Sequence, residues 1–365
     1  MGVVLADWPP ATYHWSVVKK FLLPLSLLVA SALAVSACGV SATSDAASVD
    51  GQGISISTLN QTVTGVTTSA PFSCLVSQQG AIHGSGVAGT YSAKFVAQQL
   101  SLLVQEKVIA GEVNRLHLTS SSIAATLAQS QLAGALAGQS GSACSSTGAQ
   151  VLASLPASYA KLLLNLQLDQ DLVSAHLAGA TLSTQGIAAY TATHPGVTSQ
   201  ACVSVILVSS KSAADGVETK LHAGASFSAI AKTTSVDSTS AANGGALGCV
   251  YPGQFTGSLS NVVSSIAVNS PSAPIAFQSD FVILEVTQRH PGTGPEAALA
   301  IVSSQTNAES AFMLNVERQR SVWINSQYGS WRLSSGQLEV VNGSGPKNSF
   351  VLNPNAVTPS GDTYK

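Results

Sequence analysis

Gly244-Gly245-Ala246-Leu247-Gly248, with Ser235-Val236-Asp237 shortly before it and Phe281-Val282-Ile283-Leu284-Glu285-Val286 after it, is the stretch on which the fold turns. Paired glycines supply the positive-φ backbone of a tight turn. The 281–286 run has the β-branched and aromatic density of a buried strand. A phosphate-cradling loop is the competing use of such glycines, but no Lys follows in the Walker position and no dinucleotide pattern opens a helix here. Upstream of the glycines, Val203-Ser204-Val205-Ile206-Leu207-Val208 reads as a second buried strand, and Ala213, Val217 and Leu221 form a helix face that ends at Gly224. Short helices are predicted over 226–231 and 260–267, and closing strands near 273–277 and 281–287. His194-Pro195 marks the upstream edge of this region, because proline disfavours helix at the residue before it.

Upstream of that edge the periodicity is helical. Phe95, Leu100, Leu103, Val104 and Val108 recur at helical spacing, and further helices are predicted over 120–137, 157–178 and 183–193. Tyr159, Leu162, Leu163, Leu166, Leu168 and Leu172 give the 157–178 segment an apolar stripe suited to core packing. Ile54 and Ile56 alternate as in a short strand, with Ser57 or Thr58 placed to cap a helix through Val66. Before them, the Ser/Ala/Gly-rich 39–53 stretch has little to bury and reads as a flexible tether. Beyond the linker Pro291-Gly292-Thr293-Gly294-Pro295, helical periodicity returns over 308–324 with Phe312, Val316, Gln319 and Trp323. The end of the chain, 343–365, is rich in Asn, Ser, Pro and Gly and reads as disordered.

The succession Val205-Ile206-Leu207-Val208, Leu221-His222-Ala223-Gly224-Ala225-Ser226-Phe227, Ser235-Val236-Asp237, the 244–248 glycine turn, Pro274-Ile275 and the last strand spans 201–289. It resembles the parvulin-type (PpiC, rotamase) peptidyl-prolyl isomerase domain. No single piece is specific; their order and spacing together are. Asn325-Ser326-Gln327-Tyr328-Gly329-Ser330-Trp331 resembles the N-P-R-Y-G-x-W tail of SurA- and PrsA-like folding factors, in which N- and C-terminal helices build a chaperone domain around the isomerase. The fold this implies is α+β, with a helical SurA-N-like chaperone domain and an inserted parvulin-like α/β domain. The corresponding divisions are a helical domain over 54–198, a parvulin-like domain over 199–290, a C-terminal helix and tail over 296–341 that rejoin the helical domain, and a disordered 342–365.

Rotation about an X-Pro bond crosses a barrier of roughly 18–20 kcal/mol set by amide resonance. A parvulin site lowers it by gripping the proline ring and desolvating the amide. By resemblance the proline pocket is Leu247, Phe255 and Leu259, although Leu247 and Leu259 read equally well as ordinary core. The family commonly carries a histidine in the first strand and another in the last, joined with a Cys or Asp and a Ser or Thr. Val205 and Val282 stand at those positions, leaving Asp237, at or beside the acidic position, without imidazole partners. An Asp in that setting also stabilises a turn through its own backbone. His222 and His290 read as solvated element ends, and the resemblance implies no cofactor.

Lys19 and Lys20 precede an apolar 21–35 run that ends in Val35-Ser36-Ala37-Cys38, the pattern of a lipoprotein signal over 1–37 with Cys38 as the lipidated residue. Residues 1–18 are unlike an n-region, so the start is expected near Val17 or Val18. Removing 1–37 takes Lys19, Lys20 and Asp7 from 15 basic and 17 acidic residues, leaving 13 and 16, a net charge of −3 that excludes a nucleic-acid binder. Cys74, Cys144, Cys202 and Cys249 remain, and three pairings are open. The sequence-local one, Cys74–Cys144 with Cys202–Cys249, keeps each bridge inside one domain and is favoured. A metal site is not expected, since no pair has C-x-x-C spacing and no histidine is near a cysteine in sequence.

Two functions follow. One is a lipid-anchored folding factor on the outer face of the cytoplasmic membrane, binding unfolded or nascent secreted chains and either isomerising X-Pro bonds or only binding X-Pro segments. The other is a non-catalytic lipoprotein using the same scaffold as a binding or assembly module for envelope proteins.

Overall fold

The computed structural model describes residues 45–84, 89–137, 144–255 and 257–342. The 1–37 signal, Cys38 and residues 343–365 lie outside them. In chain order the elements are β1 (Asp45–Val49), β2 (Gln52–Ser55), α1 (Ile56–Thr68), α2 (Ala70–Ser77), α3 (Ala93–Arg115), α4 (Ser122–Ala135), α5 (Gly148–Ser154), α6 (Ala157–Leu177), α7 (Thr184–Thr193) and α8 (Pro195–Thr198). There follow β3 (Ser199–Val208), α9 (Lys211–His222), α10 (Phe227–Thr234), α11 (Ser238–Ala241), β4 (Ala246–Val250), a 3-10 turn at Pro252–Gln254, α12 (Ser258–Ser265), β5 (Ile275–Phe277) and β6 (Asp280–Pro291). The chain closes with α13 (Gly294–Ser303), α14 (Thr306–Gln319), β7 (Val322–Ile324), β8 (Ser330–Ser334) and β9 (Gln337–Val341). These elements form two compact units, one of 119–127 with 171–309, the other of 45–118, 128–170 and 310–342.

The first unit is built on an antiparallel sheet of order β4-β3-β6-β5. Side chains alternate across it. Ala201, Val203, Val205 and Leu207 of β3 join Val282, Leu284 and Val286 of β6 on one face, under Leu259 and Val263 of α12. Ile206, Val208 and Ile283 point to the other face, under Ala214, Val217 and Leu221 of α9 and Phe227 and Ile230 of α10. Burial on both faces is why these strands read as nearly continuous apolar runs. The unit extends beyond 199–290 because α13 packs on α7, α8 and the 3-10 turn, while the Gly292 amide donates to Thr198 O at 3.0 Å.

The second unit holds the sheet β2-β1-β7 and the hairpin β8-β9. Residues 39–53 were expected to be a tether, yet β1 lies among them and pairs with β2, which runs on to Ser55, as a hairpin in which Ala46 and Ala47 are wholly buried. Their Ala and Ser content hid the strand, whose partner β7 comes from far along the chain. The cap of α1 is Ser55, whose Oγ accepts from the Thr58 amide at 3.0 Å, in place of Ser57 or Thr58. The C-terminal helix stops at Gln319, so Trp323 lies in β7. The turn at Asp50 accounts for that: the Asp50 amide donates to Ser321 O at 2.8 Å, and the Ser321 amide donates to Asp50 Oδ1 at 2.9 Å.

Buried Glu112 of α3 accepts from Arg320 Nη2 at 2.8 Å and Arg115 Nη2 at 2.5 Å, and the Arg115 hydrogen bond is the leading cause that holds its carboxyl below the usual range. The Asn325–Trp331 motif forms the turn between β7 and β8. The Asn325 amide donates to Ala46 O at 3.0 Å, and burial pushes the Tyr328 hydroxyl up to about 12. Val340 of β9 donates its amide to Ser101 Oγ of α3 at 2.8 Å.

Candidate functional site

In the β3–β6 ladder, Val205 pairs with Leu284 and Leu207 with Val282, which places Val205 and Val282 diagonally on one face. Both have no exposed surface. Phe255, 8% exposed, and Leu259, 3% exposed, pack into the same cluster, and partly buried Leu247, Ile275 and Phe277 lie against it. The structure therefore brings together the three proposed proline-pocket residues and Val205 and Val282, the two valines that the family resemblance sets against its histidines. What they make is a continuous apolar layer.

Asp237 is used elsewhere. It is the wholly buried N-cap of α11, its carboxylate accepting from the Thr239 and Ser240 amides at 3.2 Å each and from Ser240 Oγ. A carboxylate so engaged satisfies the free amides at a helix start.

The glycine turn sits against β3. Val205 donates its amide to Gly245 O at 2.8 Å. Gly245 has φ of +87°, and a Cβ there would lie 2.4 Å from Val205 O. Gly244, at φ +69°, would place a Cβ 2.1 Å from Ser228 Oγ. Further along β3, the Leu207 amide donates to Ser235 Oγ at 3.1 Å and the Val236 amide to Leu207 O at 2.8 Å. The Ser235-Val236-Asp237 and glycine motifs thus dock a loop on the strand that carries Val205.

Arg289 is a positioning residue that sequence reasoning missed. Its Nη2 donates to Val263 O at 2.6 Å and Ile266 O at 2.8 Å, carbonyls at the C-terminal end of α12, the helix that seats Leu259 and Val263 on the sheet. Burial pulls its guanidinium below the usual value. Strict alternation from Val286 would put Arg289 on the opposite face. The register shift opposite Cys202 and Val203, which matches Cys202 with Gln288 and Val203 with Val286, turns it inward beside Ala201.

The disulfides join Cys74 to Cys144 and Cys202 to Cys249, the latter bridging β3 and β4 where the two residues are register partners. His290 of β6 stands beside the second bridge, its ring nitrogen and the two sulfurs all within 4.8 Å of one another. The sequence places no histidine near a cysteine; the sheet order supplies one, because β6 is the other neighbour of β3.

Residues 196–290 match the family model of the PPIC-type PPIase domain. The chain is 33% identical over 92 residues to a parvulin-like PPIase of Rickettsia felis and 34% identical over 92 residues to one of Rickettsia bellii. Each match covers 24% of this chain, and 33% and 32% of those proteins, so it spans about a third of the length of these curated relatives. Among solved structures, the chain is similar to a PrsA peptidylprolyl isomerase of Bacillus anthracis, at 18% identity over 60% of this chain and 94% of that one, with a TM-score of 0.31. It is also similar to a PpiC-type isomerase domain, at 23% identity over 27% of this chain and 96% of that one, with a TM-score of 0.25. On the family model and the curated relatives, 196–290 is a parvulin-type domain.

Proposed function

We propose that this chain is an extracytoplasmic folding factor, lipid-anchored through Cys38 to the outer face of the cytoplasmic membrane. In this reading it binds unfolded secreted polypeptides, and its parvulin-type domain holds X-Pro segments without turning them over through an imidazole network. The observation that carries this is the burial of Val205 and Val282 in one apolar cluster with Phe255 and Leu259. That layer is filled by the domain's own side chains and places aliphatic carbon, not an imidazole, at both positions. Asp237, committed to its own turn, is a structural cap in this reading rather than a catalytic residue. The contact with client falls to the partly buried Leu247, Ile275 and Phe277 packed against the layer.

The test uses the chain lacking residues 1–38, added to an unfolding client protein and to a proline peptide. Suppressed client aggregation with isomerisation at the uncatalysed rate is expected. A Phe277→Asp variant that keeps its fold is expected to suppress aggregation less well. If the chain neither suppresses aggregation nor speeds isomerisation, the folding-factor reading fails and the assembly-module function remains.

A further inference from the structure

We propose that Cys202, Cys249 and His290 form a redox-gated site for one zinc-class divalent cation, closed while the Cys202–Cys249 disulfide stands and open once it is reduced. The three donors come from three adjacent strands, Cys249 from β4, Cys202 from β3 and His290 from β6. Cys202 and Cys249 are register partners, and His290 pairs with Gln200, two residues along β3 from Cys202 and on the same face. Strand ladders fix all three backbones, so the set is held in place before any metal arrives.

A tetrahedral zinc at about 2.3 Å from sulfur and about 2.0 Å from nitrogen puts its donors roughly 3.5–4 Å apart. The imidazole nitrogen lies within 4.8 Å of both sulfurs, which are bonded to each other while the disulfide stands. Opening the bond and rotating the two cysteine side chains apart is what converts one arrangement into the other. Two thiolates and an imidazole favour zinc over calcium or magnesium, which take oxygen ligands. Three protein ligands leave the fourth position to water or a substrate atom. Cys249 and His290 are exposed and Cys202 is partly so, which lets both reductant and metal reach them.

The chemistry balances with a dithiol reductant. Two thiols of the reductant become a disulfide, and the Cys202–Cys249 bond takes up two electrons and two protons to give two thiols. The cation then binds both sulfurs as thiolates and the neutral imidazole, releasing the two thiol protons to solvent. In either state a crosslink ties β4, which carries Leu247, to β3.

The test titrates cobalt(II), as a spectroscopic stand-in for zinc, into the full chain without an affinity tag, before and after reduction. The reduced chain is expected to bind one cobalt per molecule with a thiolate charge-transfer band and tetrahedral d–d bands, and the oxidised chain to show neither. His290→Ala, a change at an exposed side chain, is expected to weaken binding by at least about tenfold. Cys202→Ser/Cys249→Ser is expected to abolish the charge-transfer band, whereas Cys74→Ser/Cys144→Ser retains it. The proposal is overturned if the reduced chain shows no such band, if the band follows Cys74 and Cys144, or if folded His290→Ala binds cobalt as tightly as the parent.

Discussion

Val205 and Val282 lie diagonally across the β3–β6 ladder, one opposite Leu284 and the other opposite Leu207, and neither exposes any surface. Each is surrounded by the apolar cluster that includes Phe255 and Leu259. An imidazole at either place would lose its water and meet aliphatic carbon. Val205 and Val282 are therefore integral to the packing of the whole face.

Val205→His and Val282→His are each expected to destabilise the chain by about 2–4 kcal/mol, the cost of burying an unpartnered polar ring in a filled core. Denaturant unfolding measures this. The double variant is expected to gain no isomerase activity, and a stable double variant that isomerises proline peptides would contradict the account.

Gly245→Ala is expected to cost more than Gly248→Ala. Both residues have positive φ, +87° and +93°, but a Cβ at Gly245 would meet Val205 O at 2.4 Å, whereas Gly248 has nothing within 4 Å. Backbone strain alone predicts about 1–2 kcal/mol at Gly248, with the displacement of β3 added at Gly245. Equal unfolding midpoints for the two variants would show that the glycine turn does not press on Val205.

Asp237→Ala is expected to lose about 1–2 kcal/mol as a cap, more if the buried Ser240 hydroxyl is left without a partner. Asp237→Asn, which can still accept, is expected to lose less. The readout that separates a cap from a catalytic group is the isomerisation rate, which neither substitution should change in folded protein.

Asp169 gives a pH dependence. Burial, together with Glu106, pushes its carboxyl up to about 6. A carboxyl with a raised folded value binds more protons in the native than in the unfolded state, so its effect on stability becomes less favourable as pH rises from about 4 to about 6. Asp169→Asn is expected to stabilise the chain at pH 7 by on the order of 1 kcal/mol, less than the full shift because the partly exposed carboxyl is screened by solvent, with the gain shrinking toward pH 4. A gain that is independent of pH across melting curves would rule out this origin.

The sheet was legible because its two central strands are buried on both faces, and a run such as Val205-Ile206-Leu207-Val208 has few other uses. Order and spacing singled out Leu247, Phe255, Leu259, Val205 and Val282, and the fold gathers these five into one apolar cluster. Arg289 was not legible, since a register shift in β6 reversed the side to which alternation would assign it. Nor was β1, whose small residues are buried only because β7 lies beside it. His290 likewise joined two cysteines through sheet order, which no spacing along the chain encodes.

Holding and turnover are separated by the rate of cis–trans isomerisation of a proline peptide in the presence of the folded chain lacking residues 1–38. A domain whose apolar layer is filled and lacks an imidazole network predicts a rate equal to the uncatalysed one at every protein concentration. A rate that rises in proportion to the protein, and falls in Phe255→Ala, would contradict it.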